Sequence, residues 1–180
     1  NYAKYESHRR AATAAKSGWF VSQDFGNKTS FAVEDQQRLF RVVAMHEGEW
    51  IQKRYQIGIE IQKIGNNVSP YSTFSLYVMD MEQNPIESYK NLNLNPASAN
   101  YIAKRIGDQY QEWDNDQKKY RVLGEYGNVS DLIYVELGES VVNGSLSSLA
   151  AVPFGVQGPK AYQSFIAKNN PDSLNPGKLR

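Results

Sequence analysis

The alternation of hydrophobic and polar positions predicts a chain made mainly of β-strands. Phe74, Leu76 and Val78 fall on one face of an extended segment within residues 71–81, and the residues between them fall on the other face. Residues 55–61 alternate still more strictly, which is typical of a half-buried strand. Because a loop containing Gly, Asn and Pro joins the two segments, we expect them to pair antiparallel.

Shorter segments of the same kind predict the remaining strands. Asn84-Pro85 is a turn signal, so the residues after it should return as the second strand of a hairpin. A polar stretch with a glycine at 46–50 is expected to interrupt the strand before it. These further strands are two short ones within 19–33 and single strands at 38–45, 86–89, 118–123 and 132–137.

One internal helix is predicted over about 98–113. Ile102 and Ile106 lie on one face at helical spacing, followed by further apolar residues in the same stripe. Asn95, with a proline after it at the first helical position, or Ser98 is the expected N-cap.

Other segments predict a helix, an ordered loop and a tail. Residues 2–16 are rich in alanine and contain no Gly or Pro, which favours an N-terminal helix. In 91–96 we expect the leucines to face inward while the asparagines bond to nearby backbone. Residues 162–168 fit a short helix, and 169–180 fit an extended tail.

Together these elements predict an α+β fold. It is a mostly antiparallel β sandwich or a partly open barrel, with one packed helix at about 98–113 and an N-terminal helix. We divide the chain into an N-terminal helical segment at 1–18, a β-rich domain at 19–137, and a loop-rich extension or the start of a next domain at 138–180.

Composition narrows the classes of function. The 180 residues carry 20 basic and 19 acidic side chains, a balance that argues against binding a nucleic-acid backbone. There is no cysteine, so disulfides, thiolate metal sites and a Cys nucleophile are excluded. No apolar run approaches the ~20 residues that a membrane helix needs, so we expect no membrane insertion. The chain starts at Asn1 and not at Met, which predicts a fragment or a processed product.

Candidate catalytic chemistry is sparse. The histidines are His8 and His46, and a hydrolase that uses His46 with a nearby acid is one hypothesis. No Gly-x-Ser-x-Gly motif accompanies them. Asp80 and Glu82 share one strand face and could bind Ca²⁺ or act as acid and base, although a solvated pair is commoner. His46 with Glu47, Glu49 and Asp80 matches no known ligand spacing. We therefore assign no catalytic, cofactor-binding or metal residue.

Aromatic residues give the stronger indication. Twelve Tyr and three Trp suit sheet faces and wide protein interfaces, and we expect Trp113 and Tyr126 to be exposed interface positions. The alternative is a carbohydrate-stacking surface. Its candidate residues are Tyr71, Tyr77, Tyr89, Tyr101 and Tyr110. Asn-x-Ser/Thr sequons occur at Asn27, Asn67, Asn128 and Asn143, where chance is the better account.

Five stretches of residues 38–137 follow one another in a characteristic order. They are RLFRVVAMHEGEW (38–50), YQIGIEIQKI (55–64), YSTFSLYVMD (71–80), IESYKNLNLNPASANYIAKRIGD (86–108) and YRVLGEYGNVSDLIYVEL (120–137). This order resembles the sheath proteins of contractile phage tails and related injection machines. The family has a strand ending in a turn with Trp, a second strand, a Phe-containing strand, an Asn-Leu-x-Leu-x-Pro run into a helix, and a strand–turn–strand unit.

The resemblance implies a structural role and no enzyme activity. Sheath subunits form hexameric rings that stack around the tail tube, and contraction drives the tube through a host envelope. Their core domain is called subtilisin-like for its fold, without a working protease site. The implied partners are other copies of the chain and the tube protein, and the implied location is the virion tail, assembled in the host cytoplasm. The resemblance implies that no cofactor is bound. The alternative function is a carbohydrate-binding module of a phage or cell-surface protein.

Two departures from the family pattern accompany the resemblance. Residues 46–50 replace the commoner Trp-Gly-Asn turn. Family members are also longer, with terminal arms that exchange strands between neighbouring subunits, and this chain has no sure counterpart of both arms.

Overall fold

The structure, a computed structural model, describes residues 13–22, 36–48, 50–147 and 151–157. It is mostly antiparallel β with a few short helices, and one sheet curls into a half-open barrel, which confirms the predicted fold class. The strands are β1 (Ala14–Lys16), β2 (Trp19–Val21), β3 (Arg38–Glu47), β4 (Tyr55–Lys63), β5 (Thr73–Asp80), β6 (Pro85–Leu92), β7 (Tyr110–Asp114), β8 (Lys119–Leu123), β9 (Ile133–Leu137) and β10 (Gly155–Gln157). The helices are α1 (Trp50–Arg54), α2 (Ile102–Ile106) and α3 (Glu139–Val142).

The larger sheet is built around β3. Strands β1 and β2 follow one another along the chain and both pair with β3, β9 pairs with β3 as well, and β10 extends the sheet beyond β2. β3 is central because its sequence is apolar on both faces: Leu39 and Val43 on one face and Phe40 on the other are fully buried. The strand runs to Glu47, two residues into the predicted interruption at 46–50, because Ala14 of β1 pairs with Glu47.

The second sheet has the order β4-β5-β6 and matches the predicted antiparallel pairing. Ile57 and Ile59 of β4 lie opposite Val78 and Leu76 of β5, so the apolar residues of both strands share one face. The hairpin between β5 and β6 turns at Asp80, whose carboxylate accepts hydrogen bonds from the Asn84 backbone N–H at 2.7 Å and from its side-chain amide at 3.0 Å.

A stack of three phenylalanines connects the two sheets. The ring of Phe40 lies 4.9 Å from that of Phe20 and 5.7 Å from that of Phe74, both in stacked orientation. Ile102 and Ile106 of α2 are fully buried in the same core. The sheets and the helix therefore share one hydrophobic core.

The internal helix is much shorter than predicted, which corrects the range 98–113. It begins at Ile102 after Tyr101, and neither expected cap caps it, because the side chains of Asn95 and Ser98 stabilise the loop before it. It ends at Gly107, whose φ of 108° is unfavourable for residues with a side chain. A Cβ at this position would also collide with the backbone of Asn128.

The residues after Gly107 form β7, where the helical spacing was misleading. The run from Tyr110 to Asp114 pairs residue by residue with β8, whose existence was predicted. Pairing with the next strand of the chain thus decides between two structures that the local pattern fits equally.

Both ends of the described chain differ in part from the expected segments. Residues 14–16 form β1 and not the end of an N-terminal helix, because they pair with β3. The loop-rich extension after residue 138 packs on the common core as far as Gln157, with Val141 and Val152 buried. Several predicted segments lie outside the described residues: residues 1–12, the second of the two strands predicted within 19–33, the helix at 162–168 and the tail at 169–180.

Candidate interaction surface

The hairpin of β7 and β8 is almost entirely exposed. Its two strands pair with each other and with no other strand among the described residues. All of its strand residues are exposed except Asp114 and Leu123, which are half-buried. A two-stranded ribbon of this kind is only marginally stable alone, so the surrounding chain must hold it.

One face of this ribbon is apolar and aromatic. Cross-strand pairing places Gln111 opposite Val122 and Trp113 opposite Tyr120, and we call these four residues the hairpin face. Trp113 is 46% exposed, Tyr120 66% and Val122 60%, while the two rings meet edge to face at 5.0 Å. Large exposed aromatics that hold each other in a fixed geometry are typical of residues that are buried by a partner.

The base of the hairpin is fastened to the core. The ring of Tyr110 stacks on that of Tyr134 in β9 at 5.8 Å. The Asn128 side chain bonds to the backbone of Gln109 twice, donating to its carbonyl at 2.6 Å and accepting from its N–H at 3.1 Å. The carboxylate of Asp108 accepts the backbone N–H groups of the turn after β8. The ribbon therefore projects in a defined direction.

The tip of the hairpin is organised by Asp114. Its Oδ1 accepts the backbone N–H groups of Asp116 and Gln117 at 2.9 and 3.0 Å, and its Oδ2 lies 3.4 Å from the Arg121 guanidinium. These bonds, the one from Gln117 first, hold the pKa of the Asp114 carboxyl below its usual value. The carboxylate stays charged and the turn stays closed near neutral pH.

A groove separates the hairpin face from the larger sheet. It has a volume of about 620 Å³, and its walls are Tyr120 and Val122 on one side and Ala44, Met45 and Glu47 on the other. Its lining is mixed polar and apolar, and it includes Glu47 at the end of β3. The volume is within the range of ligand sites, so the groove could hold a small molecule or a short segment of another protein chain.

The predicted catalytic and metal residues are not assembled into a site. His46 is exposed at the end of β3. Asp80 caps the turn after β5, and its bond from the Asn84 side chain lowers the pKa of the carboxyl. Among the described residues, no group of three or more His, Asp or Glu side chains could hold a metal ion. His8 and Glu49 lie outside the described residues.

The five tyrosines of the carbohydrate hypothesis do not form one surface. Tyr101 is buried, and Tyr71 and Tyr89 pack against the core. Tyr77 points to the other side of the second sheet, where its hydroxyl donates to Glu60 at 3.0 Å. Only Tyr110 belongs to the hairpin.

The two expected interface residues have different environments. Trp113 is exposed on the hairpin face. Tyr126 is half-buried, with its ring edge-on to Tyr101 at 6.1 Å and the Lys104 ammonium 5.6 Å above it. Tyr120 was missed, because its position opposite Trp113 follows only from the pairing of β7 with β8. An aromatic residue in each of two neighbouring strands is the signal that could have found it.

The sequons differ in how accessible their asparagine side chains are. Asn128 uses its side-chain amide to hold Gln109, so a glycan there would break the base of the hairpin. Asn67 and Asn143 are exposed. Asn27 lies outside the described residues.

Comparison with known proteins gave no match: no protein-family model matches the chain, no curated protein does, and no solved structure does. Within the described part of the chain, every helix is too short to cross a membrane.

Proposed function

We propose that this chain is part of a subunit of a contractile phage tail sheath. The observation that carries the proposal is the hairpin face, a fixed aromatic surface placed where a neighbouring subunit could cover it. The order of segments over residues 38–137, which resembles the sheath family, supports the same proposal. The partners are other copies of the chain in stacked hexameric rings and the tube protein, in the tail of the virion.

The proposed mechanism is mechanical and assigns no catalytic residue and no cofactor. A subunit in a contracting sheath moves as a rigid body, and the free energy comes from the difference between two sets of subunit contacts. The shared core of both sheets and α2 gives this chain the rigidity that such a movement needs. The projecting hairpin is the element that would exchange one neighbour surface for another.

The test is negative-stain electron microscopy of the full-length protein that contains this chain. We expect stacked rings or tubes from the wild type, and their loss when Trp113→Lys and Tyr120→Lys are combined, because two buried charges cost several kcal/mol. Trp50→Lys is the matched control, since Trp50 is exposed elsewhere on the surface and should leave assembly intact. A full-length protein that stays monomeric at every salt and protein concentration would overturn the proposal.

A carbohydrate-binding module remains the second candidate, because the exposed ring pair of Trp113 and Tyr120 could also stack on a sugar. A glycan array separates the two functions. Binding that Trp113→Ala abolishes would favour the module. If no glycan on the array is bound and rings or tubes are seen by electron microscopy, the carbohydrate-binding module is rejected.

A further inference from the structure

The outer edge of β4 is open in the part of the chain that the structure describes. β4 is nine residues long and pairs with β5 on one side, and the backbone on its other side has no partner among the described residues. Its register with β5 is regular from Tyr55 to Ile61. This stretch contains no proline and only one charged residue, Glu60. Natural edge strands are commonly blunted by charges, prolines or bulges, so an unblunted edge is available for pairing.

The sequence of this edge is nearly a palindrome. In Tyr55-Gln-Ile-Gly-Ile-Glu-Ile61, isoleucines flank Gly58 on both sides, then a glutamine on one side matches a glutamate on the other. The last pair, Tyr55 and Ile61, is large and apolar on both sides. A palindromic strand that pairs antiparallel with its own copy sets like residues opposite like.

We propose that β4 pairs antiparallel with β4 of a second copy of this chain, with Gly58 on the two-fold axis. In this register Ile57 lies opposite Ile59 of the other copy, and Gln56 lies opposite its Glu60. Each pair occurs twice, which gives an apolar face toward the two cores and hydrogen-bonding polar pairs on the outer face. The result is one six-stranded sheet with the order β6-β5-β4-β4-β5-β6.

Neighbouring registers fit less well. A shift that moves the axis from Gly58 to Ile59 sets Tyr55 opposite Lys63 and Glu60 opposite Gly58, and the glutamine–glutamate pair is lost. Pairing an odd residue with an even one would turn the isoleucines to the polar face. The edge sequence therefore selects one register.

The packing beside the edge agrees with this pairing. Tyr55 and Ile57 are only half-buried, and together with Ile51 they border a cavity of about 180 Å³ that lies between β4 and residues 15–17 of the larger sheet. Strands added at the edge would cover these side chains and remove apolar surface from water. Because few residues take part, the dimer is expected to be weak and dependent on concentration.

This contact does not depend on the proposed function. It is symmetric, whereas the hairpin face would meet a different surface on its neighbour in a stacked ring. Failure of the sheath experiment would therefore leave the β4 contact standing, and the reverse also holds.

Single cysteines test the register, since the natural chain has none. One variant carries Gln56→Cys and the other Glu60→Cys. Three samples are exposed to dissolved oxygen: each variant by itself, and an equal mixture of the two. Opposite residues in the proposed pair have Cα atoms about 5 Å apart, within disulfide range. Two copies of the same cysteine would be about 13 Å apart along the strand, which is too far.

We expect a disulfide dimer to form at least tenfold faster in the mixture than in either protein alone. Equal rates in all three samples would indicate random collisions and overturn the proposed register, and no disulfide in any sample would overturn the contact. Gly58 is not substituted, because a Cβ there would lie 2.6 Å from the Met79 methyl group.

Sedimentation of two lysine variants tests the contact itself. Ile61 is 40% exposed within the palindrome, and Ile64 is 60% exposed just beyond the strand. We expect Ile61→Lys to abolish concentration-dependent dimerisation and Ile64→Lys to retain it, with equal circular dichroism spectra in both. Dimerisation that survives Ile61→Lys, or is absent from the wild type up to millimolar concentration, contradicts the proposal.

Discussion

At the scale of single residues, one buried and one half-buried phenol couple stability to alkaline pH. Burial raises the pKa of Tyr101 to about 12, with further contributions from the nearby Tyr126 and Asp108. Burial also raises the pKa of Tyr89 to about 12, and its hydroxyl donates to Glu87 at 2.9 Å. Both phenols must therefore stay neutral in the folded protein.

The replacement Tyr101→Phe should reduce alkaline destabilisation. A phenol in the unfolded chain has a pKa of about 10. The stabilising contribution of neutral Tyr101 is therefore complete below about pH 10 and is lost as the pH rises through its folded value of about 12. Urea unfolding midpoints measured at several pH values should fall less for Tyr101→Phe than for the wild type above about pH 10.

Tyr120→Phe is the control for this experiment, because Tyr120 is exposed on the hairpin face. Its unfolding midpoints should follow those of the wild type at every pH. An identical alkaline loss in Tyr101→Phe and the wild type would show that another group is responsible.

At the scale of elements, the asparagine-rich segment between β6 and α2, residues 93–100, forms a loop closed by hydrogen bonds to Asn93. The backbone of Asn93 accepts from Ile102 N–H at 3.0 Å and donates to Asn100 at 3.0 Å, which closes the loop. The Asn93 side chain donates to Ser98 Oγ at 2.9 Å and accepts from Asn95 N–H at 3.2 Å. With Leu92 and Leu94 buried, this loop fixes where α2 begins.

Removal of the Asn93 side chain should destabilise the start of α2. Asn93→Ala deletes two side-chain hydrogen bonds and is expected to lower the free energy of unfolding by about 1–3 kcal/mol. Native-state hydrogen exchange should show faster exchange at the Ile102 amide, which donates to Asn93.

Asn100→Ala is the matched control, because Asn100 is exposed and uses its backbone in the loop. Its change in stability should stay within about 0.5 kcal/mol. An equal loss in both variants would mean that the Asn93 side chain has no special part in closing the loop.

At the scale of the whole molecule, the stacked phenylalanines make the two sheets one folding unit. Phe40 belongs to β3 and Phe74 to β5, and both are fully buried. Among the described residues, most of the buried side chains of both sheets and of α2 belong to a single cluster. Removing either ring should therefore lower the free energy of unfolding of the whole described fold.

Phe74→Ala should lower the free energy of unfolding by about 3–5 kcal/mol through a cavity in this core. Tryptophan fluorescence, which comes from Trp19, Trp50 and Trp113, should report the same urea midpoint as far-ultraviolet circular dichroism, since the sheets unfold together. Phe154→Ala is the control, because its ring is exposed and its loss should matter little. Separate midpoints for the two signals would show that the sheets unfold independently.

Prediction from sequence succeeded where the signal was local. The period of two in β4 and β5 identified both strands and their pairing, and the leucines of 91–96 are buried as expected. It failed for residues 110–113, where the spacing fits a helix and a strand alike. Trp113 was correctly expected at the surface, but its partner Tyr120 was not, because that contact exists only after β7 and β8 pair.

The sequence by itself determined the strand-rich class of this protein, its apolar faces and its turns, because side-chain alternation and the limits of Pro and Gly act over a few residues. Only the tertiary structure decided where α2 ends, that β7 and β8 form a ribbon of their own, and that the outer edge of β4 has no strand partner among the described residues. Those outcomes depend on hydrogen bonds and packing that form only when separate segments of the chain come together, and their free energies exceed local preference.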